Sequence, residues 1–543
     1  MKFNEKLKYN DFPLYLLAIA LLIPSLFIGL GYMPLMSDEG IRALVAIEMD
    51  FEGNYFTPTI NGVNYYNKPP LYNWLILSFF NFFDSHSLYV FRLANVFMGL
   101  LYGGVIYLFS RKIFDPKNAI LTALLFLTCG RVLFNDFYLG LIALTQALVL
   151  FFNFYVIYEG YRKQRYLLLF TISYLLIALA FLMKGFQGVA AQAVTLLVFF
   201  SWKKDFKRLF SWQHIVGMLL FIGVISAYMY TYYTVNPESF LYYVSTLWNQ
   251  SEQRTFMNYS WVDNAVHFIS YPVKVLYEVL PYGFMFLLLI RKDLIAKIKE
   301  NNIIVFAVLM FIANNVVYML SPYWHARYIF FLLPLLFVVF VYFYNEWHSG
   351  NPKLVRFVNQ LWFWLAAIAL LVLLVFPLTP YAEGVKNTFW VCYGLALPVA
   401  GILWTMRKMP QSNLILFVIV VIIGKYASDF VFVKVYSHNI KEYRHRDLAI
   451  KVGQMTHGKP LYLFKSFPIS EDVSFYISRE RKEVLAREHT LYDTTSYYIM
   501  SSAQNKLVND LALQYERKFM FNTRNEKDTL YLVQFKQPYN LPE

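Results

Sequence analysis

Charged residues and cysteines are scarce in this chain. Asp, Glu, Lys and Arg make up 15% of its 543 residues, against about 25% in an ordinary soluble protein. This scarcity excludes a typical soluble domain. The two cysteines, Cys129 and Cys392, fall in or beside apolar runs, where a cysteine packs as a small apolar residue. We therefore expect no disulfide and no redox role.

Two motifs that bind nucleotides are also missing. The sequence contains no phosphate loop of the G-x-x-x-x-G-K-[ST] type and no G-x-G-x-x-G dinucleotide fingerprint. The net charge is +14, but the Lys and Arg residues of the first 430 positions cluster in short loops between apolar runs. That distribution is a membrane topology signal. We expect membrane lipids among the partners and no nucleic acid.

What the chain has in abundance is apolar and aromatic residues. Hydrophobic residues make up 58% and aromatic residues 20% of the chain. Apolar runs recur from Phe12 to Phe430, and a run of about 20 residues is long enough to cross a bilayer. The sequence predicts a polytopic α-helical membrane protein with about 13 transmembrane helices.

The loops between the apolar runs alternate in character. Short basic loops such as 162–165, 203–208 and 291–299 fall on one side of this arrangement, and longer loops such as 234–271 fall on the other. Basic loops face the cytoplasm. The alternation predicts an integral cell (inner) membrane protein with a cytoplasmic N-terminus and an extracytoplasmic C-terminus.

The composition changes after Phe430. We expect a membrane domain over residues 1–436, with an outer loop over 32–87, and an extracytoplasmic α/β domain over 437–543 that caps the site and contacts the acceptor. The alternating periods of this second part predict helices over 443–455, 470–477 and 505–515 and strands over 460–464, 497–500 and 529–535.

Ionisable residues gather at the outer ends of the predicted spans. The first outer loop begins with Asp38-Glu39 and ends with Lys68-Pro69-Pro70. Later outer loops add further candidates, namely Asp136, Lys184, Arg254, His325 and Arg327. Ionisable residues at membrane depth are costly and usually mark a functional path. The alternative for each is an interfacial anchor or a snorkelling side chain. Asp38 could also cap a helix, and Glu39 could be a favourable first-turn charge.

This mixture of side chains favours one reaction type. A carboxylate can act as general base toward a hydroxyl, and several Lys and Arg side chains can hold a phosphate and stabilise its charge. A soluble nucleotide-sugar would be on the wrong side of the membrane. The residues therefore favour transfer from a lipid-linked phosphate donor that reaches the site through the bilayer.

Four patches of sequence carry a family resemblance. They are DEGIRALVAIEM at 38–49, TPTINGVNYYNKPPLYNW at 57–74, LMKGFQG at 182–188 and HARYIFFLLP at 325–334. They resemble motifs of the membrane-embedded GT-C glycosyltransferases, in the branch that holds the protein O-mannosyltransferases and the lipid A aminoarabinose transferases. The likeness covers most of residues 1–340. Two positions depart from the family pattern, because Asn67 stands where many members have Glu and Phe186 where they have Pro.

The resemblance implies a GT-C fold and inverting transfer of a sugar from a polyprenyl-phosphate donor to a hydroxyl or phosphate of lipid A, a protein or a surface glycan. Asp38 would be the general base. Glu39, Lys68 and Asp136 complete the predicted catalytic set. The predicted donor-phosphate contacts are Lys184, Arg254, His325, Arg327 and Tyr328. No cofactor is certain, and a divalent metal is an open possibility that Asn67 puts in doubt.

Two other functions fit parts of the pattern. A transporter or flippase of a lipid-phosphate substrate would place polar groups near mid-membrane, often on broken, repeated helices. Here they stand at loop borders on one side, and the sequence shows no internal repeat, which favours the enzyme. A related glycan ligase differs only in the size of its donor and stays open.

Overall fold

The computed structural model describes residues 11–253, 258–350, 352–383, 385, 387–435, 441–465, 468–522 and 529–540. Most of the described chain up to residue 435 is helical. In chain order the helices are α1 Phe12–Ser25, α2 Glu39–Glu52, α3 Leu71–Phe83, α4 Leu88–Ser110, α5 Pro116–Leu127, α6 Ile142–Arg162, α7 Tyr166–Lys184, α8 Gln187–Trp202, α9 Trp212–Val235, α10 Phe240–Glu252, α11 Trp261–Glu278, α12 Leu294–Lys299, α13 Asn302–Met319, α14 Leu333–Gly350, α15 Pro352–Val375, α16 Thr388–Lys408 and α17 Asn413–Ala427.

Eight helical segments within the described ranges are long and apolar enough to cross a membrane. Five shorter apolar helices accompany them, at Phe12–Ser25, Leu71–Phe83, Pro116–Leu127, Gln187–Trp202 and Leu333–Trp347. Four of these five coincide with predicted spans, whereas Leu71–Phe83 lies in the predicted outer loop. The apolar segment that precedes the basic loop 291–299 is divided between α11 and the 3₁₀ turn Tyr282–Leu289. The chain is a multi-span membrane protein, and the count of about 13 spans stays a prediction.

Local sequence explains where several helices begin. Asp115 caps α5 and is followed by Pro116, the residue preferred at the first helical position. The Asn301 side chain accepts from two backbone N–H groups of α13. Helix α14 is apolar on every side and almost fully buried between Leu333 and Tyr344, as expected of a helix enclosed by others. It therefore lies at the centre of the membrane part.

The outer loop is a folded unit of two helices and a hairpin. Strands β1 Thr59–Ile60 and β2 Val63–Asn64 pair antiparallel. Asn61 and Gly62 join them, and both have positive φ, as a tight two-residue hairpin turn requires. The chain then passes Lys68 and enters α3 directly after Pro69 and Pro70. This geometry returns the end of the loop to the start of α2.

Residues 441–540 hold a mixed sheet and three helices. The helices are α18 Lys441–Met455, α19 Glu471–Arg481 and α20 Ser502–Asp510, and the strands are β3 Leu461–Phe464, β4 Arg487–Glu488, β5 Leu491–Tyr492, β6 Tyr497–Ser501, β7 Tyr515–Asn522, β8 Thr529–Phe535 and β9 Tyr539–Asn540. The main sheet has the order β4-β3-β6-β8-β7. Its first three strands run parallel, and β8 pairs antiparallel with β6 and β7.

The predicted helix over 505–515 is partly wrong. Helix α20 begins at Ser502 and ends at Asp510, and Tyr515 already belongs to β7. A capping box between Ser501 and Gln504 starts α20 earlier than its apolar periodicity indicates. Strand β7 lies at the sheet edge and begins with charged residues, which are common on edge strands and weaken the strand pattern.

Candidate active site

A cavity of about 440 Å³ lies where the outer loop meets the ends of the membrane helices. We call it the central cavity. Its lining residues are Ser37, Asp38, Ile41, Arg42, Tyr65, Asn67, Lys68, Leu141, Ile142, Ala143, Lys184, Gln250, Gln253, Tyr323, His325, Arg327 and Tyr328. Six predicted site residues are in this set, although 287 residues of sequence separate Asp38 from His325. The cavity thus assembles four sequence patches at one place.

Asp38 is the one carboxylate among the described residues that line the central cavity. It stands at the N-cap position of α2, but its side chain makes no capping hydrogen bond. Arg327 Nη2 instead donates to Asp38 Oδ2 at 2.8 Å. The preceding residue, Ser37, has a φ of 54°, a backbone region that non-glycine residues rarely adopt and that clusters at functional sites. The sharp turn at Ser37 directs the start of α2 to the cavity.

Cationic side chains surround this carboxylate. Arg42, Lys68, Lys184 and Arg327 all line the central cavity. Lys184 Nζ lies 4.3 Å from the ring centroid of Tyr328, a favourable cation–π distance. One carboxylate among four cations makes a site that favours an anionic ligand such as a phosphate.

The turn after Lys184 depends on glycine. Gly185 ends α7 with φ 75° and ψ −144°, close to a backbone region that is essentially restricted to glycine. The chain reverses at this residue and enters α8 at Gln187. The backbone freedom of Gly185 thus lets α7 end directly after Lys184. This places the lysine at the end of its helix, where it lines the central cavity.

Glu39 does not line the central cavity, and its catalytic role stays a prediction. Its side chain is fully buried. Arg92 Nε and Nη2 donate to its two oxygens at 2.8 Å each. The backbone N–H groups of Met36 and Gly140 donate to the same carboxylate at 3.0 and 2.7 Å. Glu39 thus ties the start of α2 to Arg92 of α4 and to the backbone of Gly140.

Asp136 also lies off the central cavity. It is 1% exposed, stands in the π-helical turn Val132–Asp136, and accepts from Arg131 Nε at 2.9 Å. Direct contact between Asp136 and a substrate in the central cavity therefore does not fit this structure. Arg254 lies outside the described residues, while its neighbours Gln250 and Gln253 line the cavity.

Two arginines at or beside the central cavity were not predicted from the sequence as site residues. Arg42, one turn along α2 from Asp38, lines the cavity and donates through Nη2 to the Tyr65 hydroxyl. Arg92 is fully buried in α4 and makes five hydrogen bonds, three of them to backbone carbonyls of the segment before Asp38. The available signal for Arg92 was an arginine inside the apolar run 88–109, because such a residue needs a partner.

The residues of the cavity do not form a divalent-cation site. No group of three or more His, Cys, Asp or Glu side chains comes together in the described part of the chain. At the central cavity, Asp38 pairs with Arg327, and Asn67 supplies an amide where the resembling family has a carboxylate. We therefore derive no reaction step through a metal.

Two further cavities adjoin the central one. The first, about 420 Å³ and here called the apolar cavity, includes Phe186, Ala190, Val317 and Leu320, and it shares Lys184, Tyr323 and Tyr328 with the central cavity. The second, about 520 Å³ and here called the rear cavity, includes Phe134, Tyr138 and Phe432, and it shares Ser37, Leu141 and Arg327. The charged centre can thus be reached from two sides.

Among the described residues, none after 435 lines any of these three cavities, and the expected cap over the site stays a prediction. The described part of the C-terminal segment, residues 441–540, packs against the outer loop. Gly62 of the hairpin turn lies beside Ala486, with 3.5 Å between a Cβ built on the glycine and the Ala486 Cβ. Glu48 of α2 accepts from the backbone N–H groups of Asn61 and Gly62 at 2.6 and 3.3 Å.

The buried Glu48 carboxyl, which binds the hairpin turn at Asn61 and Gly62, makes the stability of the outer loop depend on pH. Burial raises the pKa of Glu48 from its usual 4.5 to about 7, although the backbone hydrogen bonds act against the shift. The folded state therefore binds this proton more tightly than the unfolded state, and the stabilisation is present below pH 4.5 and is lost as pH rises through 7. We expect Glu48→Gln to flatten the decline of thermal stability between pH 5 and 8. Melting curves of purified protein in detergent measure this.

The exposed Glu238 provides the matched control. Glu238→Gln removes the same charge without a buried carboxyl, so the pH dependence of its melting temperature should follow that of the wild type. Equal slopes for wild type and Glu48→Gln would contradict the role of Glu48.

Comparison with known proteins finds similar sequences and similar structures. Residues 67–230 match the family described as dolichyl-phosphate-mannose-protein mannosyltransferase. A protein of Aquifex aeolicus, described as uncharacterized, is 25% identical over 362 residues, which are 65% of this chain and 69% of that protein. An undecaprenyl phosphate-alpha-4-amino-4-deoxy-L-arabinose arabinosyl transferase of Pseudomonas savastanoi is 30% identical over 208 residues. That alignment covers 37% of this chain and 38% of the relative, so the chain spans less than half of this named relative.

The fold match extends over nearly the whole chain. The crystal structure of ArnT from Cupriavidus metallidurans bound to undecaprenyl phosphate superposes with a TM-score of 0.69 at 18% identity, covering 96% of this chain and 98% of that one. The chain therefore has the ArnT fold. Together with the family match, this confirms the resemblance to the GT-C membrane proteins that the four sequence patches indicated.

Proposed function

We propose that this ArnT-like GT-C protein transfers a sugar from a polyprenyl-phosphate donor to a hydroxyl or phosphate acceptor at the outer face of the membrane. The observation that carries the proposal is the central cavity, where Asp38 is the one described carboxylate beside Arg42, Lys68, Lys184 and Arg327. Such a site provides a base for the acceptor and cations for the leaving phosphate.

The donor would lie across the central and apolar cavities. The apolar cavity offers Phe186, Val317 and Leu320 to an isoprenoid chain, and Lys184 stands at its border with the central cavity. A lipid phosphate placed at this border leaves its apolar tail in the membrane part and its sugar near Asp38. The Pseudomonas savastanoi relative is named for an undecaprenyl-phosphate sugar, and the ArnT crystal structure has undecaprenyl phosphate bound. Both support a donor of this class.

The reaction follows from this placement. A hydroxyl acceptor gives its proton to the Asp38 carboxylate while its oxygen bonds to the anomeric carbon. The bond from that carbon to the phosphate oxygen breaks, and the lipid phosphate leaves with its charge stabilised by Lys68, Lys184 and Arg327. Attack from the side opposite to the phosphate inverts the anomeric carbon. The rear cavity, which meets Asp38's neighbours Ser37 and Arg327, is the route we propose for the acceptor.

The test uses purified full-length protein with radiolabelled polyprenyl-phosphate sugars. We expect one donor to be hydrolysed slowly without an acceptor and transferred when lipid A, a peptide or a surface glycan is added. Lys184→Ala should weaken donor binding and turnover, whereas Lys204→Ala, in a basic loop at the other end of α8, should not. If the protein neither hydrolyses nor transfers sugar from any donor of this class, the proposal is refuted.

The orientation of the chain is part of the same proposal. Because the basic loops alternate opposite to them, Asn64 of the hairpin and Asn505 of α20 should both face the outside. Single cysteines at these positions, in a background where the two buried native cysteines are replaced, should react with a membrane-impermeant maleimide in intact cells. If only one of the two reacts, the number of spans between them is wrong.

A further inference from the structure

The outer loop and the C-terminal segment share one apolar core. Buried side chains of α2 and α19 belong to the same cluster, among them Ala43, Leu44 and Ile47 from α2 and Val473 and Ile477 from α19. About 430 residues of sequence separate the two helices. Because neither helix has a separate core on that side, the position of α2 depends on the C-terminal segment.

The two helices approach each other closely at Gly40, two residues after Asp38. A Cβ built on Gly40 would lie 2.9 Å from the backbone N of Asp472 and 3.3 Å from the carbonyl carbon of Glu471. These are backbone atoms at the start of α19, so they cannot rotate away as a side chain can. Any residue larger than glycine at position 40 must push α2 and α19 apart.

Hydrogen bonds hold the segment before Asp38 to α19 and to α18. The backbone N–H of Leu35 donates to the Tyr476 hydroxyl at 2.8 Å in a buried contact. Arg446 Nη1 of α18 donates to the Tyr32 carbonyl at 3.2 Å. On the membrane side, Arg92 binds the carbonyls of the same segment. The approach to Asp38 is thus held between the membrane helices and the C-terminal segment.

We propose that the C-terminal segment is a positioning element for Asp38, acting through the Gly40 contact and the Tyr476 hydroxyl. This inference rests on the proposed function, in which Asp38 is the base. It differs from the expected acceptor-binding role, which stays a prediction, because the described residues of the segment contact α2 and none of them lines the central cavity. Tyr476 is a positioning residue and touches no reacting atom.

The test compares Gly40→Ala with Gly223→Ala in the full-length protein. Gly223 lies in the middle of α9, and apart from its chain neighbours and the backbone of its own helix no described atom lies within 4 Å of a Cβ built on it. A displacement of about 1 Å near a reacting group can cost about 10²-fold in rate. We expect Gly40→Ala to lower kcat about 10²-fold with the donor KM nearly unchanged, and Gly223→Ala to retain wild-type values.

Tyr476→Phe is the second variant, in case Gly40→Ala fails to fold. It removes one hydrogen bond worth about 0.5–1.5 kcal/mol, so kcat should fall about 2- to 10-fold with the donor KM kept. If Tyr476→Phe and the wild type have equal kcat, this inference is overturned. It is also overturned if kcat, donor affinity and melting temperature all fall together. In both cases the proposed function stands. A wild type that transfers no sugar would overturn the proposed function and this inference with it.

Discussion

Asp38→Asn should nearly abolish sugar transfer while donor binding persists. The amide keeps the shape of the side chain and an oxygen that can accept from Arg327, which lies 2.8 Å away in the wild type. It cannot take the proton of an acceptor hydroxyl. Loss of a general base typically costs about 10²–10⁴-fold in rate, and we expect kcat to fall by that factor. Transfer assays with saturating donor and a separate donor-binding measurement distinguish the two effects.

Asp84→Asn is the matched control for this variant. Asp84 is exposed at the end of α3 and has a positive φ, which Asn tolerates well, so activity should be unchanged. Turnover of Asp38→Asn within a few-fold of the wild type would mean that the base is elsewhere. Asp136 is poorly placed to replace it, because Asp136 is buried against Arg131 and does not line the central cavity.

Arg92→Met should destabilise the folded protein more than any other single change that we consider. Methionine leaves the fully buried Glu39 carboxylate without its cation and leaves the Leu30, Met33 and Pro34 carbonyls without their donor. Removing one partner of a buried ion pair costs about 3–5 kcal/mol. We expect a low yield in membranes and a large fall in melting temperature, measured on protein purified in detergent.

The control for this prediction is Arg162→Met. Arg162 pairs with Glu159 but its side chain is 53% exposed, and such surface pairs contribute about 0–1 kcal/mol. A second comparison adds Glu39→Gln to Arg92→Met, which removes the uncompensated charge and should restore part of the lost stability. A melting temperature of Arg92→Met equal to that of Arg162→Met would show that the buried pair is not what holds α2.

Several features of the fold followed from local pattern. Apolar runs predicted the membrane helices, and alternating periods predicted α18, α19, β3 and β8 near their observed positions. These signals lie within one element and need no knowledge of its neighbours. The count of spans did not follow, because helices such as α3 and α5 are apolar but shorter than a bilayer crossing requires.

Part of the candidate site could be predicted because its residues lie in local sequence motifs. Asp38, Lys68, Lys184 and Arg327 all carry motif signals, and all line the central cavity. Glu39 carries an equally strong signal, yet its carboxylate turns to Arg92. Adjacent residues at a helix start point in different directions, and the sequence alone does not tell which of two neighbouring carboxylates faces the ligand.

By itself, the sequence determined that this is a multi-span membrane protein that resembles the GT-C glycosyltransferases and carries charged residues at the ends of its apolar runs, because hydropathy and motif spacing are local properties of the chain. Only the tertiary structure decided which of those charges meet. The pairing of Asp38 with Arg327, of Glu39 with Arg92 and of α2 with the C-terminal segment joins residues that are up to hundreds of positions apart. Each pairing depends on how whole helices pack, and packing is decided by the complete set of neighbours around each side chain.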